Sequence, residues 1–304
     1  MSSAIEASLP DYETSALSRD GRLLTITLHQ PDALNAVDLR MHEELAEVFT
    51  FAAMDEHSEV VVLTGAGKAF SAGGNLEHIA NNAAHPELFD NEVRLAKRIV
   101  AAMLDLDKPL VCRMNGHAVG LGATLALLCD VIFAVDTARI GDSHVAIGLV
   151  AGDGGAAIWP QRIGFGRAKE YLLTGELLSA QQAEEIGLIN HSLPAAELDG
   201  AVQAFCERLL QGSTNAIRWT KVLINLELKR IATAVMDAGI AYEAVTVRSA
   251  DHREGVKALQ EKRKPVFGRN RSKEPGETEL RWRAVSYTHL TLPTKEDVCG
   301  SGGG

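Results

Sequence analysis

The sequence predicts an α/β fold that ends in a helical region. Two observations carry this. Short apolar runs alternate with segments of helical period through the first ~150 residues, as layered α/β folds require. After residue 152 strand-like runs nearly vanish, and helical segments fill about 154–173, 180–186, 195–210, 214–229, 231–248 and 252–262. We therefore place an α/β core at 12–200 and a helical region at 201–271.

Residues 12–17 and Leu23–Leu28 (LLTITL) read as strands, the second rich in Thr and Ile. Met41, Leu45, Val48, Phe49 and Ala52 recur at helical spacing. Asp38 precedes them and suits the positive end of a helix. An apolar run at 60–63 suits a buried strand entering the Thr64-Gly65 turn. Residues 77–90 show no clear period and contain Pro86, so a mobile loop is expected there, with a helix at about 91–105. Further strands are read at 110–112 and 130–135, with a helix at 120–128 between them.

Composition excludes several classes. The 304 residues suffice for a large core, and 46% apolar with 23% charged residues is ordinary for a globular chain. A formal net charge of −10 disfavours a nucleic-acid surface. The four cysteines show no C-x-x-C spacing, against zinc or redox motifs. No secretory h-region opens the sequence, and no apolar run reaches the ~18 residues of a membrane span. A cytoplasmic protein without nucleic-acid or membrane partners is expected.

Chemistry is concentrated in two glycine-rich stretches. The first follows the 60–63 run and contains Gly67, Ser71, Ala72, Gly73 and Gly74; the second runs from Asn115 to Gly122. Glycine lets the backbone approach a ligand closely. Two strand exits that each offer N–H groups can polarise one carbonyl, the logic of an oxyanion hole.

In this order and spacing the two stretches resemble the signatures of the crotonase (enoyl-CoA hydratase/isomerase) superfamily. Matching segments flank them: Leu34-Asn35-Ala36 upstream, then Ile147 to Gly155, Leu173 to Glu176, the run from Ala183 and the stretch from Glu254 to Phe267. The resemblance covers about residues 12–270 and implies a crotonase-like spiral of repeated β-β-α units, followed by a C-terminal helical oligomerisation region. It also implies a homotrimer or hexamer, and a substrate that is an acyl-CoA thioester, coenzyme A being part of the substrate and no separate cofactor being needed. By motif position the oxyanion donors are the N–H groups of Gly74 and Leu121. Leu34, Asn35, Ala36, Lys68, Ala72, Asn75, Gly120, Thr124 and Lys262 are implied to line the substrate; the basic Lys262-Arg263-Lys264 run and Lys68 suit CoA phosphates.

The sequence departs from the family at the two Glu positions that manage water in a hydratase. Thr124 and His144 stand there. In their place His144 and Asp153, nine residues apart across a glycine turn, are the expected catalytic pair. His144 is expected as base and Asp153 as its orienter, with activity rising as His144 loses its proton. Their spacing resembles the 6-oxocamphor hydrolase branch, where such a pair activates water for C–C cleavage. A β-diketone hydrolase and a non-catalytic acyl-CoA-binding protein therefore stay open beside the acyl-CoA enzyme. His117 and Asp142 are further candidates. Residues 272–304 are expected to be a disordered tail, and 286–295 resemble the translation of a sequencing-adapter read-through.

Overall fold

The structure, a computed structural model, describes residues 8–268. Core and helical region fall within one unit, Met1–Phe267. The expected tail from residue 272 lies outside the described residues.

A six-stranded sheet organises the chain in the order β1-β2-β3-β4-β6-β9. Here β1 is Ser15–Asp20, β2 Leu23–Leu28, β3 Val60–Gly65, β4 Leu110–Met114, β6 Val131–Val135 and β9 His191–Leu193. Only β1 and β2 pair antiparallel; every other pairing is parallel. Parallel strands lie under helices on both faces and read as continuous apolar runs. All six residues of β3 are accordingly buried. Helices α1 (Leu39–Met54) and α3 (Phe89–Asp105) pack together and bury Met41, Leu45, Phe49, Ile99 and Met103 in the core.

A smaller sheet joins β5 (Ala118–Val119), β7 (Arg139–Gly141) and β8 (Leu178–Ser179). Two isolated parallel bridges, Val37↔Gly74 and Ser71↔Ala118, extend that layer. Each turn of chain thus gives one strand to the large sheet, one segment to the small layer, and a helix. The turns run β2, Val37, α1; then β3, Ser71–Gly74, α2 (Leu76–Ala84) and α3; then β4, β5, α4 (Leu121–Leu127); then β6, β7, α5 (Gly155–Thr174). This is the expected β-β-α spiral. Helices α6 (Ala180–Glu185), α7 (Ala195–Leu210), α8 (Thr214–Val247) and α9 (Ala250–Gln260) complete the described chain.

Three local expectations are corrected. The loop expected at 77–90 contains α2, whose start the Asn75 side chain caps by accepting from the N–H groups of Glu77 and His78. The two helices expected at 214–229 and 231–248 are one helix of 34 residues, α8, because no glycine or proline interrupts it near residue 230. The first strand begins three residues later than expected, at Ser15. Beyond residue 152 strands nearly vanish as expected, with only the short β8 and β9 among the described residues. Asp38 does cap α1, accepting from Met41 N–H at 2.9 Å. No helix among the described residues is long and apolar enough to cross a membrane.

Candidate active site

The two glycine stretches are laced together by backbone hydrogen bonds. Phe70 and Ser71 N–H both donate to the His117 carbonyl at 3.1 Å, and Val119 N–H donates to the Ser71 carbonyl at 3.0 Å. Gly73 sits where they cross, with φ 83°; a Cβ there would lie 2.5 Å from the Val119 carbonyl oxygen. Only glycine fits, because the site demands both positive φ and backbone approach.

The lacing fixes two N–H groups. In the Val37↔Gly74 bridge, Val37 N–H donates to the Gly73 carbonyl (2.7 Å) and Asn75 N–H donates to the Val37 carbonyl (2.9 Å). Gly74's own N–H is thereby turned to the opposite side. Leu121 is the first residue of α4, so its N–H has no acceptor within the helix. Gly74 and Leu121 both line one cavity of about 390 Å³, together with Ala72, Gly120, His144 and Asp153.

His144 enters from the turn after β7, at the start of the short helical turn His144–Ile147. Its Nδ1 lies 2.6 Å from Asp142 Oδ1, an oxygen that also accepts the His144 backbone N–H at 3.1 Å. Its Nε2 faces Asp153 Oδ2 at 3.4 Å, an ion-pair contact rather than a well-formed hydrogen bond. Gly155 admits the other Asp142 oxygen: a Cβ there would lie 2.1 Å from Asp142 Oδ2. The side chains of Asp142 and Asp153 are 2% and 8% exposed, so neither charge is shared with bulk water. Sequence reasoning gave Asp153 the orienting role; the shorter contact belongs to Asp142.

Burial by itself would lower the His144 pKa. The charges of Asp142 and Asp153, with the short Asp142 contact, outweigh burial and hold it well above the ordinary histidine value. Burial would raise the Asp153 pKa, but the His144 charge and hydrogen bond and the Gly155 N–H leave it lowered. At neutral pH the pair is therefore an imidazolium beside a carboxylate. The expected rise of activity as His144 deprotonates is corrected for the same reason: that titration lies above the usual histidine range.

Other predicted substrate residues fall elsewhere. Asn35 is fully buried, and its Nδ2 donates to the carbonyls of Ala66, Ala69 and Phe70 while its Oδ1 accepts from Gln30 N–H. It shapes the first glycine loop instead of facing the cavity. Leu34 is exposed, Ala36 buried, and the Asn75 side chain is spent on capping α2. Thr124 is wholly buried behind the cavity wall, where Gly154 would meet its Cγ2 if it carried a Cβ. Lys68 and Lys262 are exposed and do not line the cavity, whereas Arg263 and Lys264 do. His117 is a structural acceptor, taking the Arg139 N–H on Nδ1 at 2.9 Å.

Sequence reasoning missed several polar cavity residues, among them His42 on α1, His78 on α2, Glu92 on α3 and Glu243 on α8. A signal existed for the last. Met236, Ile240, Glu243 and Val247 share the buried stripe of α8, so a carboxylate interrupts an apolar face. Burial comes first among the causes that raise the Glu243 pKa well above the carboxyl range, followed by the Asp153 charge. Its Oε2 has no hydrogen-bond partner among the described residues. The cavity thus holds two carboxyl groups that their environments push apart, Asp153 downward and Glu243 upward.

Known proteins resemble this chain in sequence and fold. The family model described as enoyl-CoA hydratase/isomerase matches residues 18–270. The 1,2-epoxyphenylacetyl-CoA isomerase of Escherichia coli is 33% identical over 247 residues, covering 81% of this chain and 94% of that protein. A crystal structure of an enoyl-CoA hydratase/isomerase from Mycobacterium paratuberculosis superposes with a TM-score of 0.78 at 36% identity, covering 82% of this chain and 100% of that one. A β-diketone hydrolase from the cyanobacterium Anabaena sp. PCC 7120, solved with (S)-3-oxocyclohexyl acetic acid bound, gives 0.73 at 28% identity, over 78% and 94% of the two chains.

Proposed function

The chain belongs to the enoyl-CoA hydratase/isomerase family, and on that footing we propose that it binds an acyl-CoA thioester and moves a proton on the carbon beside the thioester carbonyl. The observation that carries this is the single cavity that collects Gly74, Leu121, His144 and Asp153.

The carbonyl oxygen sits between the Gly74 and Leu121 N–H groups, which stabilise the enolate as it forms. Asp153, ionised and with Oδ1 free of hydrogen-bond partners among the described residues, accepts the proton. His144, cationic between two carboxylates, steadies the charge that develops and returns a proton, which the protonated Asp153 then restores to it across their 3.4 Å contact. Glu243, whose pKa burial pushes up, is a second donor. This favours isomerisation over hydration, since Thr124 and His144 stand at the two positions where a hydratase carries its Glu pair. Lys264 at the cavity mouth and exposed Lys68 supply charge for the CoA phosphates; Arg263 is occupied by Glu254, which it grips through both guanidinium NH₂ groups at 2.5 and 3.0 Å. Exposed Trp219, Leu223, Ile224 and Leu226 on α8 support assembly as a trimer or hexamer.

A second reading, hydrolysis of a β-diketone, is favoured by the His144–Asp153 contact and by the similarity to the Anabaena enzyme. There Asp153 would draw a proton from water, and the same hole would hold a tetrahedral oxyanion. One substrate panel separates the two. Enoyl-CoA esters in D₂O should exchange and migrate at the carbon beside the carbonyl, while cyclic β-diketones remain intact. Diketone cleavage without CoA-ester turnover selects the second reading, and CoA-ester binding without any turnover leaves a binding protein. Gly74→Pro deletes one donor and should cost about 10²–10³ in kcat.

A further inference from the structure

Three side chains from three helices converge on the cavity wall and take no part in the proton transfer above: His42, His78 and Glu92. One ring nitrogen of each histidine and one Glu92 oxygen all lie within 4.8 Å of one another. We infer that they form a binding site for one divalent metal ion of the zinc type, with its remaining coordination position facing the cavity.

Two imidazoles and a carboxylate are the donor set zinc takes when it keeps a water. Donors around tetrahedral zinc stand roughly 3.3 Å apart, so modest side-chain rotation closes the trio. His42 is prepared for the task. Its Nδ1 faces the Asp38 carbonyl at 3.1 Å, which places the ring proton there and leaves Nε2 as a lone pair. Glu92 is 7% exposed, and its Oε1 takes contacts from His78 Nε2 at 2.7 Å and Asn82 Nδ2 at 2.5 Å.

Asn82 gives an independent pointer. It lines the cavity and is 4% exposed, yet its Oδ1 has no hydrogen-bond partner among the described residues. A buried amide oxygen without a donor is costly, and a metal-bound water supplies that donor. The second cluster of metal-ligand type, Asp142, His144 and Asp153, is a poorer site. Both His144 nitrogens already face carboxylates, so neither is free to turn toward an ion.

The test uses the full chain, stripped with a chelator and then titrated with ZnCl₂ by calorimetry. One ion per chain is expected, with a rise in Tm as zinc binds the folded state and visible absorption bands of a low-symmetry site when Co²⁺ replaces it. Glu92→Gln should weaken binding by about 10²-fold or more, with unchanged far-UV circular dichroism. His42→Gln serves as the second ligand variant if Glu92→Gln unfolds. His144→Ala should bind zinc as the parent does. No saturable binding, or equal binding by the parent and both ligand variants, overturns the site. Loss in His144→Ala with retention in Glu92→Gln also overturns it, because the ion would then belong to the other cluster. None of these readouts depends on turnover, so the site and the proposed reaction can fail separately.

Discussion

Asp142 holds His144 at two points, through Nδ1 at 2.6 Å and through the backbone N–H at 3.1 Å, with a single carboxylate oxygen. Ring and backbone are thus fixed together, and Nε2 is aimed at Asp153. The raised His144 pKa follows from this clamp and from Asp153. A group whose folded pKa is raised contributes stability that is complete below its unfolded value, ~6.5 for His, and is lost as pH rises through the folded value. The Tm of the parent should therefore fall on the alkaline side of neutrality. Asp142→Asn should lower the neutral Tm and flatten that alkaline fall. Calorimetric scans of both proteins between about pH 6 and pH 10 provide the check, and parallel curves would remove Asp142 from this role.

Glu243 allows a prediction in which stability and activity move in opposite directions. Its carboxyl is raised, so stability falls as pH rises between the ordinary carboxyl value and the raised one. Gln reproduces the neutral form. Glu243→Gln should raise Tm at neutral pH while reducing turnover, because an amide cannot give up the proton. Turnover equal to the parent would confine Glu243 to packing.

The glycine lacing predicts a failure of both fold and function. In Gly73→Ala the methyl group would lie 2.5 Å from the Val119 carbonyl oxygen, at a φ of 83° that L side chains rarely adopt. Such a clash costs roughly 1–3 kcal/mol, and the loop shift it forces should misplace the Gly74 N–H. A lower Tm together with a fall in kcat is expected. Wild-type kcat in the folded variant would mean that the Gly74 donor is not needed.

The spiral and the two glycine loops were legible because each is written in contiguous residues. Val60–Gly65 reads directly as a buried parallel strand, and the spacing of the loops carries the family pattern. The polar residues of the cavity were less legible because they are dispersed. His42, His78, Glu92 and Glu243 come from four helices, and only folding brings them together. Glu92 lies among Phe89, Ala96 and Ile99 on the buried face of α3, a sign that periodicity alone treats as noise. Asn35 failed in the opposite direction: a motif position expected to face the substrate is consumed by carbonyls of the loop it supports.

Asp153→Asn tests the catalytic pair itself. Asp153 precedes α5, whose first turn begins after Gly154 with no side-chain cap. Its carboxylate faces His144 Nε2 and also feels the Gly155 N–H at the start of that helix. If Asp153 accepts the proton, the amide should cost about 10²–10⁴ in kcat, and His144→Ala added to it should cost little more, since the two act as one unit. The lowered Asp153 pKa contributes stability above the ordinary Asp value that is lost as pH falls through the lowered one. Asp153→Asn should therefore lose that acid-side dependence and come closest to the parent's Tm in acid. If the carboxylate served only the start of α5, Asn would replace it with activity within roughly twofold, because Asn caps about as well as Asp. A deep loss of kcat in a variant with parent-like circular dichroism assigns Asp153 to the chemistry; parent-like kcat assigns it to the helix.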